Sequence, residues 1–128
     1  MAEPPFREKK STFVTQRYDN TTLTVRLAGP TVGNREAPII TEEVLGSIDL
    51  LGKDHWLKHL VLDLSEVSFM SSVGLGLCIN MRNRASIYSA DSILYGVNND
   101  LRKAMTLMKL DRIFKMVSST EALAKALK

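Results

Sequence analysis

The chain is poor in the residues on which several classes of protein depend. Cys78 is its single cysteine, which excludes an intramolecular disulfide and any multi-cysteine metal site. Its apolar surroundings favour a small buried side chain. No apolar run approaches the roughly 20 residues that a membrane-spanning helix needs, and the N-terminal residues lack the basic and then apolar order of a signal peptide. We therefore expect a cytoplasmic protein without a membrane span.

Charge of one sign is not concentrated anywhere in the sequence. The 17 Lys and Arg residues face 14 Asp and Glu residues, for a net charge of +3, and the densest cluster is Arg7-Glu8-Lys9-Lys10. Because a nucleic-acid-binding domain usually carries its basic residues on one face or helix, we do not expect nucleic acid as a partner. The composition, 45% hydrophobic and 24% charged, is typical of a globular domain, and the length fits one such domain.

The N-terminal part of the sequence predicts a leader followed by a β-hairpin. Residues 1–11, which include Pro4-Pro5, predict a flexible leader ahead of a domain that spans residues 12–128. Phe13–Tyr18 predicts the first strand, and Asp19-Asn20 predicts a tight turn. The second strand is predicted by alternating apolar residues, namely Leu23, Val25 and Leu27.

The middle of the sequence predicts a loop, two helices and a buried strand. Gly29–Pro38 is rich in glycine, proline and asparagine and predicts a loop. Thr41 is the predicted N-cap of the first helix, because Glu42 and Glu43 follow it where the helix dipole favours acid. Leu60–Leu64 is nearly continuous in apolar residues, as in a strand covered on both faces. A second helix is predicted from Val73 to Tyr88.

The C-terminal part continues the alternation of strands and helices. Ile93–Val97 predicts a strand, and either Asn98 or Asn99 is expected to cap the third helix. Ile113–Val117 predicts the last strand, and a capping box formed by Ser118 and Glu121 predicts the start of a fourth helix. The order predicts an α/β fold with a mixed, mostly parallel sheet of about five strands and about four helices.

Two serines directly before the second helix are the most informative feature. Ser71 and Ser72 lie at or beside its N-cap, where a hydroxyl satisfies an otherwise unpaired backbone N–H and where the helix also favours an anion. A phosphate there would add about −1.5 to −2 charge to a neutral surface. Capping alone also accounts for both serines. Gly74 and Gly76 suggest close approach of another backbone, either a strand of the fold or a partner.

The segment around these serines resembles the signature of STAS domains, the family of bacterial anti-sigma-factor antagonists. It reads Asp63-Leu64-Ser65-Glu66-Val67-Ser68-Phe69-Met70-Ser71-Ser72-Val73-Gly74-Leu75-Gly76. The family signature has an apolar strand ending in Asp-Leu-Ser/Thr, a small linker, then Phe/Tyr-Met/Ile-Asp/Ser-Ser-Ser/Ala-Gly and an apolar helix. The order of elements fits the family from about residue 12 to 127, and Leu101–Phe114 resembles the family's third helix and last strand. The resemblance implies a single STAS-type domain.

The resemblance also implies a function, which is regulation of transcription by partner switching. In this family an antagonist binds an anti-sigma factor with serine kinase activity, is released when that kinase phosphorylates it, and is restored by a PP2C-type phosphatase. The family's phosphorylated serine precedes one residue and then the glycine, which here is Ser72. Ser71 is the second choice. The resemblance implies neither an enzymatic activity nor a cofactor. For the oligomeric state, both a monomer and a weak dimer stay open.

The sequence departs from the family pattern beside the acceptor, which keeps a second function open. Ser71 stands where the best-known members often have Asp, and Val73 stands where Ser or Ala is usual. Some STAS domains are non-phosphorylated scaffolds or subunits of larger signalling or transport assemblies, and this is the alternative. The partner-binding surface expected for the antagonist contains nine residues, namely Ser65, Ser68, Met70, Ser71, Val73, Gly74, Asn80, Asn83 and Arg84.

The sequence argues against an enzymatic role for Ser72 or Asp63. A nucleophilic Ser72 would need a base within about 3 Å, but His55 and His59 precede the strand at Leu60–Leu64, whose ends are about 17 Å apart. Asp63 could suggest a phospho-accepting aspartate. Such a site needs further carboxylates at the end of the first strand, and none occurs in the corresponding Val25-Arg26-Leu27-Ala28. We therefore expect Asp63 to be structural.

Overall fold

The computed structural model describes residues 3–128. Its strands are β1 (Glu8–Lys10), β2 (Val14–Asp19), β3 (Thr22–Leu27), β4 (Thr31–Val32), β5 (His59–Asp63), β6 (Phe69–Met70), β7 (Asp91–Tyr95) and β8 (Lys115–Val117). Its α-helices are α1 (Ala37–Gly52), α2 (Ser72–Ile87), α3 (Asn99–Leu107) and α4 (Thr120–Ala126), with a 3-10 turn at Leu110–Arg112. Among these residues no helix is both long and apolar enough to cross a membrane.

One large sheet has the strand order β1-β2-β3-β5-β7-β8, and β4 pairs with β6 in a separate two-stranded sheet. The pairs β1–β2 and β2–β3 are antiparallel, whereas β3, β5, β7 and β8 pair in parallel. The predicted mixed, mostly parallel sheet and the four helices are therefore confirmed. The large sheet has six strands rather than about five.

The additional strand is β1, which lies within the residues predicted to be a flexible leader. Lys9 pairs with Gln16, so that prediction is wrong for residues 8–10. All three residues of β1 are exposed and charged, and they show no apolar alternation from which a strand could be predicted. Charged side chains on an edge strand also hinder pairing with a second molecule. Residues 1 and 2 of the predicted leader lie outside the described residues.

β5 is a central strand, as its apolar run predicts. Leu60, Val61 and Leu62 are fully buried. Val61 packs in a cluster on the side of α4, which includes Leu123, while Leu60 and Leu62 belong to the larger core that contains residues of α1 and α2. Because both faces of the strand are covered, period-two alternation is absent from its sequence.

Two predicted boundaries in the first half of the chain are wrong. The hairpin turn lies at Asn20 and Thr21, both with positive φ angles (48° and 63°), one residue later than predicted. Helix α1 starts at Ala37 and not after Thr41, whose hydroxyl donates a hydrogen bond back to the Ala37 carbonyl. Pro38 lies in the first turn, where a proline is tolerated because the first N–H groups of a helix have no intrahelical partner.

Boundaries in the second half differ in a similar way. β7 covers Asp91–Tyr95, two residues earlier than predicted, and β8 begins only at Lys115 because a 3-10 turn precedes it. Asn98, one of two predicted caps, is the N-cap of α3 and accepts a hydrogen bond from the Leu101 N–H at 2.8 Å. The N-cap of α4 is Ser119 and not Ser118.

Cys78 is fully buried in the core, as predicted, and this burial raises the pKa of its thiol to about 12. At pH 8 the thiol is therefore neutral, and it has no access to solvent. We predict that native protein at pH 8 reacts with a disulfide reagent such as DTNB at least about 100-fold more slowly than protein unfolded in guanidinium chloride, because only the thiolate is nucleophilic. A native rate equal to the unfolded rate would contradict this burial.

Candidate functional site

Asp63, the last residue of β5, holds the beginning of the connection to α2. Its Oδ1 accepts hydrogen bonds from the Ser65 N–H at 2.9 Å and from the Ser65 hydroxyl at 2.6 Å. Its Oδ2 pairs with Arg26 Nε at 3.4 Å. These contacts agree with the predicted structural role. They also engage the hydroxyl of Ser65 within the fold, although Ser65 itself is exposed.

The short sheet formed by β4 and β6 holds the second half of the connection. The Pro30 carbonyl accepts hydrogen bonds from the N–H groups of Ser68, at 2.7 Å, and Phe69, at 3.0 Å, and the Val32 carbonyl accepts one from the Ser71 N–H at 3.0 Å. β4 lies in the segment predicted to be a loop. A two-residue strand between Pro30 and Gly33 carries no periodic pattern, so the sequence could not reveal this contact.

Asn98 links the same connection to α3. Its side-chain amide donates to the carbonyls of Val67 and Ser68, both at 3.2 Å, while its Oδ1 caps α3. The capping role could be predicted from sequence, because asparagine before an apolar helix is a common N-cap. The contact with the connection could not, because it depends on the tertiary arrangement.

Ser71 and Ser72 differ in what their hydroxyl groups do. Ser71 is the N-cap of α2, and its Oγ accepts a hydrogen bond from the Gly74 N–H at 3.2 Å and donates toward Asn34 Oδ1 at 3.5 Å. Ser72 is the first residue of the helix and is exposed, and its hydroxyl makes no hydrogen bond with any group in residues 3–128. Ser71 is thus engaged in capping, whereas Ser72 is available to another molecule.

The backbone around Ser72 favours negative charge. Within the described chain, the N–H groups of Ser72 and Val73 have no acceptor, whereas those of Gly74 and Leu75 bond to the Ser71 side chain and carbonyl. Unpaired N–H groups at the start of a 16-residue helix, together with its dipole, stabilise an anion. An added phosphate at this position therefore gains a favourable local field.

Gly74 is required by the close approach of β4 to α2. A Cβ at Gly74 would lie 2.7 Å from the Val32 carbonyl oxygen, which a real side chain does not tolerate. The interpretation as close packing within the fold is confirmed for this glycine. It is wrong for Gly76, where a Cβ would meet no atom within 4 Å.

An exposed surface surrounds Ser72 and extends along α2. Phe69, three residues before the serine in sequence, and Val73, directly after it, are 61% and 45% exposed. Further along the helix, the residues at four- and three-residue spacing that face outward are Asn80, Asn83 and Ile87. Ser68 is also exposed. Together with Ser72 we call these residues the α2 surface.

Three more residues of the predicted partner surface serve the fold, as the hydroxyls of Ser65 and Ser71 do. Met70 is 5% exposed and Gly74 is buried, so neither residue is accessible to a partner. Arg84 is half-buried, and its guanidinium pairs with Asp49 of α1. The same Asp49 accepts a hydrogen bond from the Tyr88 hydroxyl at 2.7 Å, which raises the pKa of Tyr88. Arg84 therefore joins α2 to α1 and is not part of the α2 surface.

The histidines lie far from the serines. His59 is the first residue of β5 and Asp63 is the last, so the imidazole and the connection to α2 are at opposite ends of the strand. In residues 3–128 no group of three or more His, Cys, Asp or Glu side chains is arranged to hold a metal ion.

Comparison with known proteins identifies this architecture. The sequence model of the STAS domain family matches residues 12–124 of this chain, in agreement with the predicted family. The fold is similar to an anti-sigma-factor antagonist domain protein from Planctomyces limnophilus (TM-score 0.77, 13% identity, 89% of this chain and 97% of that one). It is also similar to an anti-sigma factor antagonist from Mycobacterium paratuberculosis (TM-score 0.74, 19% identity, 89% and 92% covered).

A third solved structure is that of the Bacillus cell fate determinant SpoIIAA in its phosphorylated form (TM-score 0.64, 18% identity, 88% of this chain and 96% of that one covered). At these identities the likeness establishes the fold.

The two glycines of α2 provide a matched pair of substitutions. We predict that Gly76→Ala raises the free energy of unfolding by about 1 kcal/mol, because alanine is the better helix former and its methyl group meets nothing. Gly74→Ala should lower it by about 1–3 kcal/mol, because the added Cβ overlaps the Val32 carbonyl. Urea denaturation of both variants measures these changes, and the opposite order would contradict the assigned contact.

Proposed function

This chain belongs to the STAS domain family, and we propose that it is an anti-sigma-factor antagonist that is switched off by phosphorylation of Ser72. In its unphosphorylated state it binds an anti-sigma factor with serine kinase activity in the cytoplasm. Phosphorylation by that kinase releases it, and a PP2C-type phosphatase restores binding. The observation that carries the proposal is the exposed, unengaged hydroxyl of Ser72 at the first position of α2.

The surroundings of Ser72 support phosphorylation without loss of the fold. Its side chain is exposed, so a phosphate replaces solvent rather than a packed group. The N–H groups of Ser72 and Val73 and the positive end of the helix dipole favour the added charge. The stability of the domain should therefore be nearly independent of the modification.

Ser71 is less suited to be the acceptor. Its oxygen caps α2 through the Gly74 N–H, and loss of such a cap costs about 1 kcal/mol. A kinase that modifies Ser71 must first displace this hydrogen bond, whereas Ser72 requires no such step. This difference supports Ser72 over Ser71.

The α2 surface explains how the charge would control binding. Phe69 and Val73 precede and follow Ser72 in the sequence, and their exposed side chains offer apolar area for a partner to cover. A phosphate on Ser72 would have to lose water in a complex that covers this area, which is costly for a doubly charged group. A penalty of roughly 3 kcal/mol already weakens binding about a hundredfold, which is sufficient for a switch.

The site of modification can be tested directly. We predict that incubation with the serine-kinase anti-sigma factor of the same genome and ATP places one phosphate on Ser72, located by mass spectrometry of peptides. Ser72→Ala should abolish phosphorylation. Ser71→Ala lacks the helix cap and is less stable, but its folded fraction should retain most of the phosphorylation. A phosphate on Ser71 would move the switch by one residue, and no phosphate on either serine would overturn it.

The effect on binding provides a second test. We predict that Ser72→Asp weakens binding to the anti-sigma factor at least about tenfold, because it mimics part of the phosphate charge. Ser72→Ala should bind like the wild type and should remain bound after ATP is added. Isothermal titration calorimetry measures both affinities. Equal affinities for the Asp and Ala variants would instead support a non-phosphorylated scaffold that binds constitutively.

A further inference from the structure

A concave site lies at the end of the sheet opposite to Ser72. It is a cavity of about 550 Å³ between the C-terminal half of α2, the beginning of β7 and the segment that leads into β8. β8 pairs only with residues 93–95 of β7, so the first two residues of β7 have no neighbouring strand on that side. The cavity occupies the space that a longer β8 would fill.

The polar side chains of this cavity are dominated by cations and hydroxyl groups. They come from Arg82, Ser86, Ser89, Ser92, Arg112 and Lys115. Asp91 is the only carboxylate in the lining, which leaves a net charge of about two positive. None of the three cations forms an ion pair within residues 3–128. Arg82 makes one hydrogen bond, to its neighbour Asn83.

Ser92 contributes to this wall a hydroxyl without a hydrogen-bond partner in residues 3–128. It is 8% exposed, and its buried hydroxyl has no hydrogen-bond partner in the described part of the chain. Unsatisfied buried polar groups are rare in native structures and call for an explanation. The adjacent end of α2 does not supply an acceptor, because the carbonyls of Ala85 and Ser86 are already occupied by the backbone N–H groups that follow.

We propose that this cavity binds a small phosphate ester. Arginine and lysine match the geometry and charge of a phosphate group, and a phosphomonoester carries about −1.5 to −2 charge at pH 7, which complements the net charge of the lining. A nucleic acid is disfavoured because the cations surround a concave site and do not extend along a face. The site is independent of Ser72, which lies at the other end of α2.

The proposal can be tested by titration of the ¹⁵N-labelled chain. The probes are ribose 5-phosphate, glycerol 3-phosphate and AMP, with ribose, glycerol and adenosine as uncharged controls and inorganic phosphate as a further arm. We expect saturable amide shifts for residues 89–93 and 112–115 with at least one ester, and none with the uncharged controls. The ester should bind more tightly than inorganic phosphate, because the cavity also holds its organic part.

Paired charge removals locate the site. The double variant Arg112→Ala/Lys115→Ala should weaken ester binding about tenfold or more, while Arg102→Ala/Lys103→Ala, which removes the same charge from α3, should leave it unchanged. Thermal unfolding of both variants checks that the fold is kept. Absence of saturable shifts with every ester, shifts centred on Ser72, equal losses in the two double variants, or equal binding of inorganic phosphate would each overturn the proposal.

Discussion

The contact between the Val32 carbonyl and the first turn of α2 determines where Ser72 stands. The same carbonyl accepts a hydrogen bond from the Ser71 N–H, and its oxygen lies only 2.7 Å from the position that a Cβ of residue 74 would take. Any side chain at residue 74 would force β4 away from α2 and would loosen the hydrogen bonds that Pro30 makes with the connection. One backbone contact thereby positions both the N-cap and the exposed residue after it.

With Ser72 as the proposed phosphorylation site, the two adjacent serines would separate a structural requirement from a regulatory one. Ser71 satisfies a helix N–H, a task that stabilises the fold and keeps its oxygen occupied. Ser72 has no such task and stays at the surface. A single serine could not serve both purposes, because phosphorylation would then disturb the hydrogen bond on which the helix start depends. The pair allows the charge of the surface to change while the backbone beneath it stays in place.

Much of the architecture could be predicted because it follows from periodic patterns. The apolar run at Leu60–Leu64 identified the central strand, and the two serines identified the start of α2 to within one residue. The sequence does not reveal β1, which is short and entirely charged, or β4 and β6, which have two residues each and depend on pairing with each other across 38 residues. Thr41 resembles an N-cap in sequence because Glu42 and Glu43 follow it, but α1 already begins at Ala37, with Pro38 in its first turn.

The residues of the candidate site were predictable only in part, since Phe69 and Ile87 belong to the α2 surface but were not among the predicted residues. The exposure of Val73, Asn80 and Asn83 follows from helical spacing. The ion pair of Arg84 with Asp49 and the burial of Met70 depend on which side of α2 faces α1 and β4, and a single sequence does not contain this information. Gly76 illustrates the opposite difficulty, because a glycine at a helix surface looks the same in sequence as one that packing requires.

Asn98 has a chemical vulnerability that follows from its double role. An amide both donates and accepts, so this one side chain can hold two carbonyls of the connection while capping α3. Spontaneous deamidation would convert it to an aspartate, which caps a helix equally well but has no proton to donate at neutral pH. Such an aspartate would still cap α3, but its carboxylate would lie against the carbonyls of Val67 and Ser68, so a change at one side chain would disturb the connection that leads to Ser72 before it disturbed the core.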